Sequence, residues 1–321
     1  MTAGARISIA MATYNGARFV REQLDSFSAQ TRLPDELVVT DDCSTDDTVR
    51  VVEEFARTAP FRVALHRNPA NLGYVRNFEK ALSMCTGDII FLSDQDDVWF
   101  PEKLATVVCH FEADPQVQVV INDALLVDEG LRSSGNSQRQ NIERAGQPLK
   151  SFFTGCCSAH RRSWHDLALP IPPEVPAHDF WINCLAIEVG CARHLADVLQ
   201  AFRRHDNNSS AWALSDPNGL GVLGALRISG LRDARPRWHL RADLLRGFVK
   251  RIHERLDLAR TNGWERNVPG IERELANIEE RIRICSRPRL RRTSDVISFW
   301  SKGGYGTAAG WKSAVKDLIR P

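Results

Sequence analysis

The 321-residue sequence has no continuous apolar run near the ~18 residues a membrane-crossing helix needs. Its first residues, Met1 to Arg6, lead straight into a strand-like segment without the apolar core of a signal peptide. A cytoplasmic location is therefore expected. No Cys-x-x-Cys pair occurs among the eight cysteines at 43, 85, 109, 156, 157, 184, 191 and 285. That spacing argues against a zinc site or a disulfide framework, so the thiols read as small buried hydrophobes. The absence of Gly-x-Ser-x-Gly removes a serine-hydrolase elbow, and the absence of Gly-x-Gly-x-x-Gly removes a dinucleotide fingerprint. His160 lies near Cys156-Cys157, but nothing in the sequence orients it for a cysteine nucleophile. Repeats and low-complexity tracts are also missing. The charge looks balanced, 42 Lys+Arg against 40 Asp+Glu, yet the balance hides an asymmetry. Residues 1–220 carry −9 and residues 221–321 carry +11.

What is present is an alternation of short apolar runs and helical patterns. Ile7–Ala12, Glu36–Thr40, Phe61–Leu65, Asp88–Ser93 and Gln116–Leu126 read as strands. Helices are expected over 18–29, from Ser44 to about Arg57 on a capping-box spacing with Asp47, from Gly73 to about Met84, and from Pro101 to about Glu112. This βαβ order predicts an α/β fold with a mostly parallel sheet flanked by helices. Residues 130–150, rich in Gly, Ser, Gln and Arg, read as a mobile surface loop. In sheets of this kind ligands bind beyond the carboxyl ends of the strands. Three polar clusters fall there: Thr13-Tyr14-Asn15, Asp41-Asp42, and Asp94-Gln95-Asp96-Asp97. Like charges repel, and an Asp-x-Asp at a buried strand end suits a hard cation such as Mg²⁺ or Mn²⁺. Such ions complete their shell with substrate phosphates, so a diphosphate is the natural other half.

The stretches ISIAMATYNG, LVVTDDCSTDDT, NLGYVRNFEKAL and GDIIFLSDQDDVWFPEKL occur in that order and resemble family-2 glycosyltransferases of the GT-A fold. The DQDDVW variant followed by VVINDALLVDEGL is most similar to a bacterial rhamnosyltransferase-like branch. The resemblance covers roughly residues 6–210 and implies roles. Thr13, Tyr14 and Asn15 would line a nucleotide pocket. Asp41 would hold the base, with Asp42 supporting its loop, and Arg76 would reach the nucleotide or its phosphates. Asp94 and Gln95 would meet the donor, and Asp96 would bind the metal with Asp94 and His205. Asp97 reads equally as a support behind that site or as an N-cap before Pro101. In AHDFWIN, Asp179 would be the general base, with His178, Phe180 and Trp181 on the acceptor side. An N-cap role for Asp179 is compatible with that. Gly155, in FFTGCCSAHRR, would let backbone approach the donor sugar. His205 lies in AFRRHDNNSS, residues 201–210.

The expected architecture is a catalytic domain over residues 1–214 and a basic, mainly helical region over 215–321. The implied reaction is inverting, metal-dependent sugar transfer from a nucleotide-diphospho-sugar to a saccharide acceptor; nucleic acid is not an expected partner, because no aromatic platforms are interleaved with the basic residues. dTDP-L-rhamnose is the first donor expectation and UDP-hexose the second. Two rivals stand beside this reading: a non-catalytic sugar-nucleotide-binding scaffold, and a nucleotidyltransferase, for which the loop after the first strand supplies only Gly16 and Arg18. For the basic helices at 236–262 and 270–284, three readings compete. They are packing on the catalytic domain, attachment to an anionic inner-membrane surface beside a lipid-linked acceptor, and a homodimer contact. The closing segment SFWSKGGYGTAAGWKSAVKDLIRP reads as an interfacial anchor.

Overall fold

A computed structural model describes residues 4–206, 233–306, 308 and 310–320. It divides into two compact units, the break falling between Ala225 and Leu226. The expected boundary at 214/215 lies outside the described residues, as do positions 207–210 of the His205 segment.

The first unit runs β1 (Ile7–Thr13), α1 (Val20–Ser28), β2 (Glu36–Asp41), α2 (Thr48–Ala56), β3 (Arg62–Arg67), α3 (Tyr74–Met84), β4 (Ile89–Ser93), β5 (Val98–Trp99), α4 (Lys103–Ala113) and β6 (Val119–Val127). It continues through β7 (Ser133–Ser137), α5 (Gln138–Arg144), β8 (Ser158–Arg161), α6 (His165–Ala168), α7 (His178–Glu188) and β9 (Ala192–Arg203). The strands form one sheet in the order β3-β2-β1-β4-β8-β6-β9-β5, with β7 on β6. β1, β2, β3 and β4 pair in parallel, and β6 pairs in parallel with β9. β8 runs antiparallel between β4 and β6, so β6 keeps the direction of the first four strands. The sheet is mostly parallel, with helices on its flanks, as the βαβ alternation predicts.

Burial explains why the strands read as continuous apolar runs. All six residues of β2 and all five of β4 are buried, because helices cover both faces of a parallel sheet. Buried Glu36 is tolerated because Ser8 Oγ, Thr86 N and Thr86 Oγ1 all donate to it, at 2.7, 2.7 and 2.8 Å. The register then sets the site: Thr13 stands level with Asp41, and Met11 with Ser93. The carboxyl ends of β1, β2 and β4 therefore finish side by side.

Two local expectations are corrected. The Ser44–Asp47 capping box does not form: Ser44 Oγ donates to Asp41 at 2.5 Å, and α2 begins at Thr48, whose N–H donates to Asp46. The nearby aspartate is the stronger acceptor and takes the hydroxyl. Residues 130–150 are not a loop throughout. They contain β7 and α5, and a capping box joins Ser137 to Gln140, with Gln138, Asn141 and Ile142 buried. The polar composition hid an element whose polar side chains face inward.

The second unit is helical: α8 (Arg235–Glu254), α9 (Leu256–Thr261), α10 (Val268–Cys285), α11 (Arg292–Ser301) and α12 (Trp311–Ile319). α8 packs along α10, with Ala242, Leu245, Phe248 and Ile252 inward. Arg241–Glu274 and Arg246–Glu279 ion pairs, at 3.0 and 2.6 Å, tie the same two helices. No helix among the described residues is long and apolar enough to cross a membrane.

Candidate active site

A cavity of about 720 Å³ opens at the carboxyl ends of β1, β2 and β4. Its walls bring together Thr13, Tyr14, Asn15, Asp42, Asp94, Gln95, Asp96, Gly155, His178, Asp179, Phe180 and His205, twelve of the residues singled out from the sequence. Distances in sequence of up to 192 positions, Thr13 to His205, close to one chamber.

The loops that carry these residues are locked by side-chain hydrogen bonds. Asn15 sits in the left-handed region at φ 47°, a conformation Asn tolerates better than most residues. There its N–H donates to Ser44 Oγ at 2.9 Å and its Oδ1 accepts from Thr45 N at 2.8 Å. Gln95 grips the backbone of Tyr14 twice: its Oε1 accepts from Tyr14 N and its Nε2 donates to Tyr14 O, at 2.9 and 3.0 Å. Tyr14 itself is half exposed at the rim.

The two aspartates after β2 divide differently from expectation. Asp42 is on the cavity wall, and Asp41 is fully buried behind it. Asp41 accepts from Thr13 Oγ1 at 3.0 Å and from Ser44 N and Oγ, which joins β1 to the turn after β2. Asp42 accepts from Asn68 Nδ2, Leu72 N and Gly73 N at 2.8, 2.8 and 2.9 Å. Gly73, at φ 78°, needs a residue without a Cβ to enter α3. Arg76 is also displaced from its expected place: it does not line the cavity, and pairs instead with Glu79 and donates to the carbonyl of Ile171 at 2.8 Å. The helical period accounts for this. Tyr74, Asn77 and Phe78 share the face of α3 that meets the cavity, and Arg76 is on another.

The acidic stretch after β4 splits into two groups. Asp96 Oδ2 lies 2.8 Å from His205 Nε2, and the His205 ring packs on Phe19 with centroids 4.8 Å apart. Asp94 and Asp97 instead share a cluster with the Cys156 thiol, their ligand atoms all within 4.8 Å of one another. Burial, reinforced by Asp96 and Asp97, pushes the Asp94 carboxyl well above its usual range. A cation placed here would relieve that repulsion. Asp97 is not an N-cap: it is fully buried and accepts from Gln200 Nε2 at 3.0 Å and Arg203 N at 3.1 Å. Glu102 precedes α4 instead. Beneath this cluster lies buried Lys103, which donates to Cys156 O at 3.0 Å and to Gln200, and sits 4.0 Å over the Trp99 ring. Burial lowers the Lys103 pKa, and burial raises that of Asp97 beside it. Arg203 fixes the same turn from β9, donating to Asp96 O at 2.7 Å and to Glu22 at 2.6 Å.

Asp179 stands in the first turn of α7, where the helix N-terminus faces a carboxylate. Burial pushes its carboxyl up to about 6, against the pull of the Phe180 and Gly155 N–H groups. Those donors reach Asp179 Oδ1 and Oδ2 at 2.9 and 3.3 Å. His178 is held by stacking: its ring lies 4.2 Å from Phe78, and neither ring nitrogen has a hydrogen-bond partner. Burial lowers its pKa to about 3, so the imidazole is neutral. Gly155 is required at its place because a Cβ would collide with His178 Nε2. Trp181 does not share the acceptor wall. It is 1% exposed and donates Nε1–H to Ala168 O at 2.6 Å, whereas Phe180 lines the cavity and packs on Phe153. Each step along a helix turns the side chain by about 100°, and at Trp181 the rotation past Phe180 carries the ring away from the cavity and onto Ala168.

Sequence reasoning passed over Asn77, Phe78, Cys156, Arg204 and the buried Lys103. Three signals were available: YVRN holds Asn77, TGCC holds Cys156, and PEKL holds a lysine on the inward face of α4. All eight thiols are free, and six are buried. His160 turns its ring to Asn183 Oδ1, Ser158 and His165, at 2.9, 3.1 and 3.2 Å, and not to the adjacent cysteines.

Comparison with known proteins agrees with this geometry. Residues 8–167 match the family described as Glycosyl transferase family 2. The uncharacterized glycosyltransferase alr2836 of Nostoc sp. is 33% identical over 221 residues, 65% of this chain and 68% of that protein. The dTDP-rhamnosyl transferase RfbG of Shigella flexneri is 33% identical over 147 residues, 44% of this chain and 48% of its own. The match to the mycobacterial relative Rv1520 spans 59% of that protein's length. Among solved structures, the mannosyltransferase PcManGT of Pyrobaculum calidifontis, in complex with GDP-Man and Mn²⁺, has a TM-score of 0.56. It is 21% identical, covering 99% of this chain and 86% of that one, which establishes likeness of fold.

Proposed function

Because this chain belongs to glycosyl transferase family 2, we propose that it moves a sugar from a nucleotide-diphospho-sugar to a saccharide hydroxyl with inversion at the anomeric carbon. The observation that carries this reading is the position of Asp179. It is a carboxylate of raised pKa that faces the acidic turn Asp94–Asp96 across one chamber, on a different element.

The chain's own residues divide the work. Tyr14, Asn15 and Asp42 bound the end of the cavity nearest β1 and β2, where the nucleoside would sit. Asp94 and Asp96 would hold a Mg²⁺ or Mn²⁺, with His205 alongside; oxygen donors with one imidazole suit either ion. When bound, that ion neutralises charge on the departing diphosphate. Asp179 takes the proton from the acceptor hydroxyl as that oxygen attacks the anomeric carbon, and the nucleoside diphosphate leaves from the opposite face. Gly155 N–H and Phe180 N–H hold the Asp179 carboxylate in orientation. Neutral His178 can give or take a hydrogen bond from a sugar hydroxyl, and the Phe180 ring offers an apolar wall.

dTDP-L-rhamnose is the favoured donor, supported by the similarity to RfbG, with a UDP-hexose second. The acceptor would be a growing bacterial surface polysaccharide. Incubation with dTDP-rhamnose and a saccharide acceptor, followed by NMR of the new linkage, tests the proposal. Inverted anomeric configuration supports it; retained configuration, or no transfer from any nucleotide-sugar, refutes it.

A further inference from the structure

We propose that the face formed by α11 and α12 is a docking surface for an anionic lipid bilayer, seated by tryptophans and held by lysines.

The face is unusual for what it leaves in water. Of the thirteen large apolar side chains exposed among the described residues, six fall between Leu290 and Ile319. Ile297 and Trp300 project from α11 at 63% and 49% exposure; Trp311, Val315 and Ile319 project from α12 at 59%, 44% and 46%. On α12 they recur at i, i+4 and i+8, one stripe of the helix. Between the helices lies a shallow groove of about 360 Å³, lined by Val296, Ile297, Trp300, Ala314, Val315 and Leu318 with one hydroxyl, Ser301. The stripe is not the inner side of the unit. That side is already occupied: Val296, Phe299, Tyr305 and Ala314 pack with Ile284 of α10.

Charge selects the occupant. Residues 286–320 hold eight Lys or Arg and two Asp, and six of the eight basic residues lie outside the interior, Arg292 and Arg320 being buried. Both aspartates are engaged. Asp317 is fully buried and bound by Arg281 at 2.7 and 2.9 Å and by Arg320 at 3.2 Å; Asp295 pairs with Arg287 at 2.6 Å. Lys312 and Lys316 each adjoin an exposed apolar residue on α12, and Lys302 follows α11. Burial, together with crowding by Arg320, Lys312, Arg237 and Arg281, lowers the Lys316 pKa, which marks the field here as positive. Amphipathic tryptophans beside lysines over a short apolar stripe match the headgroup boundary of a bilayer, not its core. The inference concerns the second unit alone and holds whether or not the donor reading above is right.

The test is sedimentation of the full chain with phosphatidylcholine vesicles, with and without 30% phosphatidylglycerol. The expected result is binding to the anionic vesicles only, weakened by high salt. Lys312→Gln with Lys316→Gln should reduce partitioning by roughly 30-fold, since each basic residue near such a surface contributes about fivefold. Ile297→Ser with Trp311→Ser, both at exposed positions, should reduce it while leaving circular dichroism and nucleotide binding unchanged. No binding to anionic vesicles overturns the proposal, as does binding that both double variants retain. Dimerisation of the wild-type chain that Ile297→Ser with Trp311→Ser abolishes, without vesicle binding, reassigns the face to a second copy.

Discussion

Asp179 concentrates the chemistry in one side chain. Its raised pKa makes a base that is half ionised near pH 6, so the sign of its pH effect is fixed: the active form is the carboxylate. In the free enzyme, kcat/KM should fall as pH drops through about 6 and level off above it. Asp179→Asn should retain donor affinity by calorimetry and lose transfer by ~10²–10⁴-fold. A fully active Asp179→Asn enzyme would remove the base assignment. Residue identity was readable here because HDFW stood in a motif. Orientation was not: Trp181 and Phe180 are adjacent in sequence, and only the phase of α7 decides which meets the cavity. The same limit applies to Arg76, turned to Glu79 by the phase of α3.

At the scale of elements, the turns after β2 and β4 behave as braces for the site. Asp42 holds three N–H donors of the segment that enters α3. Asp42→Ala takes the acceptor from Leu72 N and one of two acceptors from each of Asn68 Nδ2 and Gly73 N, and should cost about 1–3 kcal/mol in urea denaturation. The strands were legible because a sheet covered on both faces turns every position apolar, and four of the five expected strands share its parallel part. β5, two residues long, and β8, four residues of Ser-Ala-His-Arg, were not legible. Their place depends on pairing with β9, β4 and β6, which no local pattern records. α5 was hidden for a related reason: its buried Gln138 and Asn141 look like loop residues until their partners, such as Thr154 for Gln138, are in place.

For the whole molecule, the charge asymmetry seen in the sequence follows the division into units. The acidic part forms the sheet and its cavity, and the basic part forms helices stitched by arginine. Asp317 is the electrostatic keystone of the second unit, buried between Arg281 and Arg320. Asp317→Ala strands those guanidinium groups and should destabilise this unit by about 3–5 kcal/mol, while nucleotide binding in the first unit persists. Thermal melts followed with and without nucleotide would separate the two effects. The cavity at the ends of β1, β2 and β4 should take a nucleoside diphosphate with a divalent ion, which ligand-induced stabilisation would reveal. A thermal-shift series would set dTDP, UDP, GDP and CDP each against Mn²⁺, Mg²⁺ and EDTA. One nucleotide should stabilise the chain in a metal-dependent way, by about 2.7 kcal/mol at 100 times its dissociation constant. No shift with any nucleotide in the presence of either metal would contradict it.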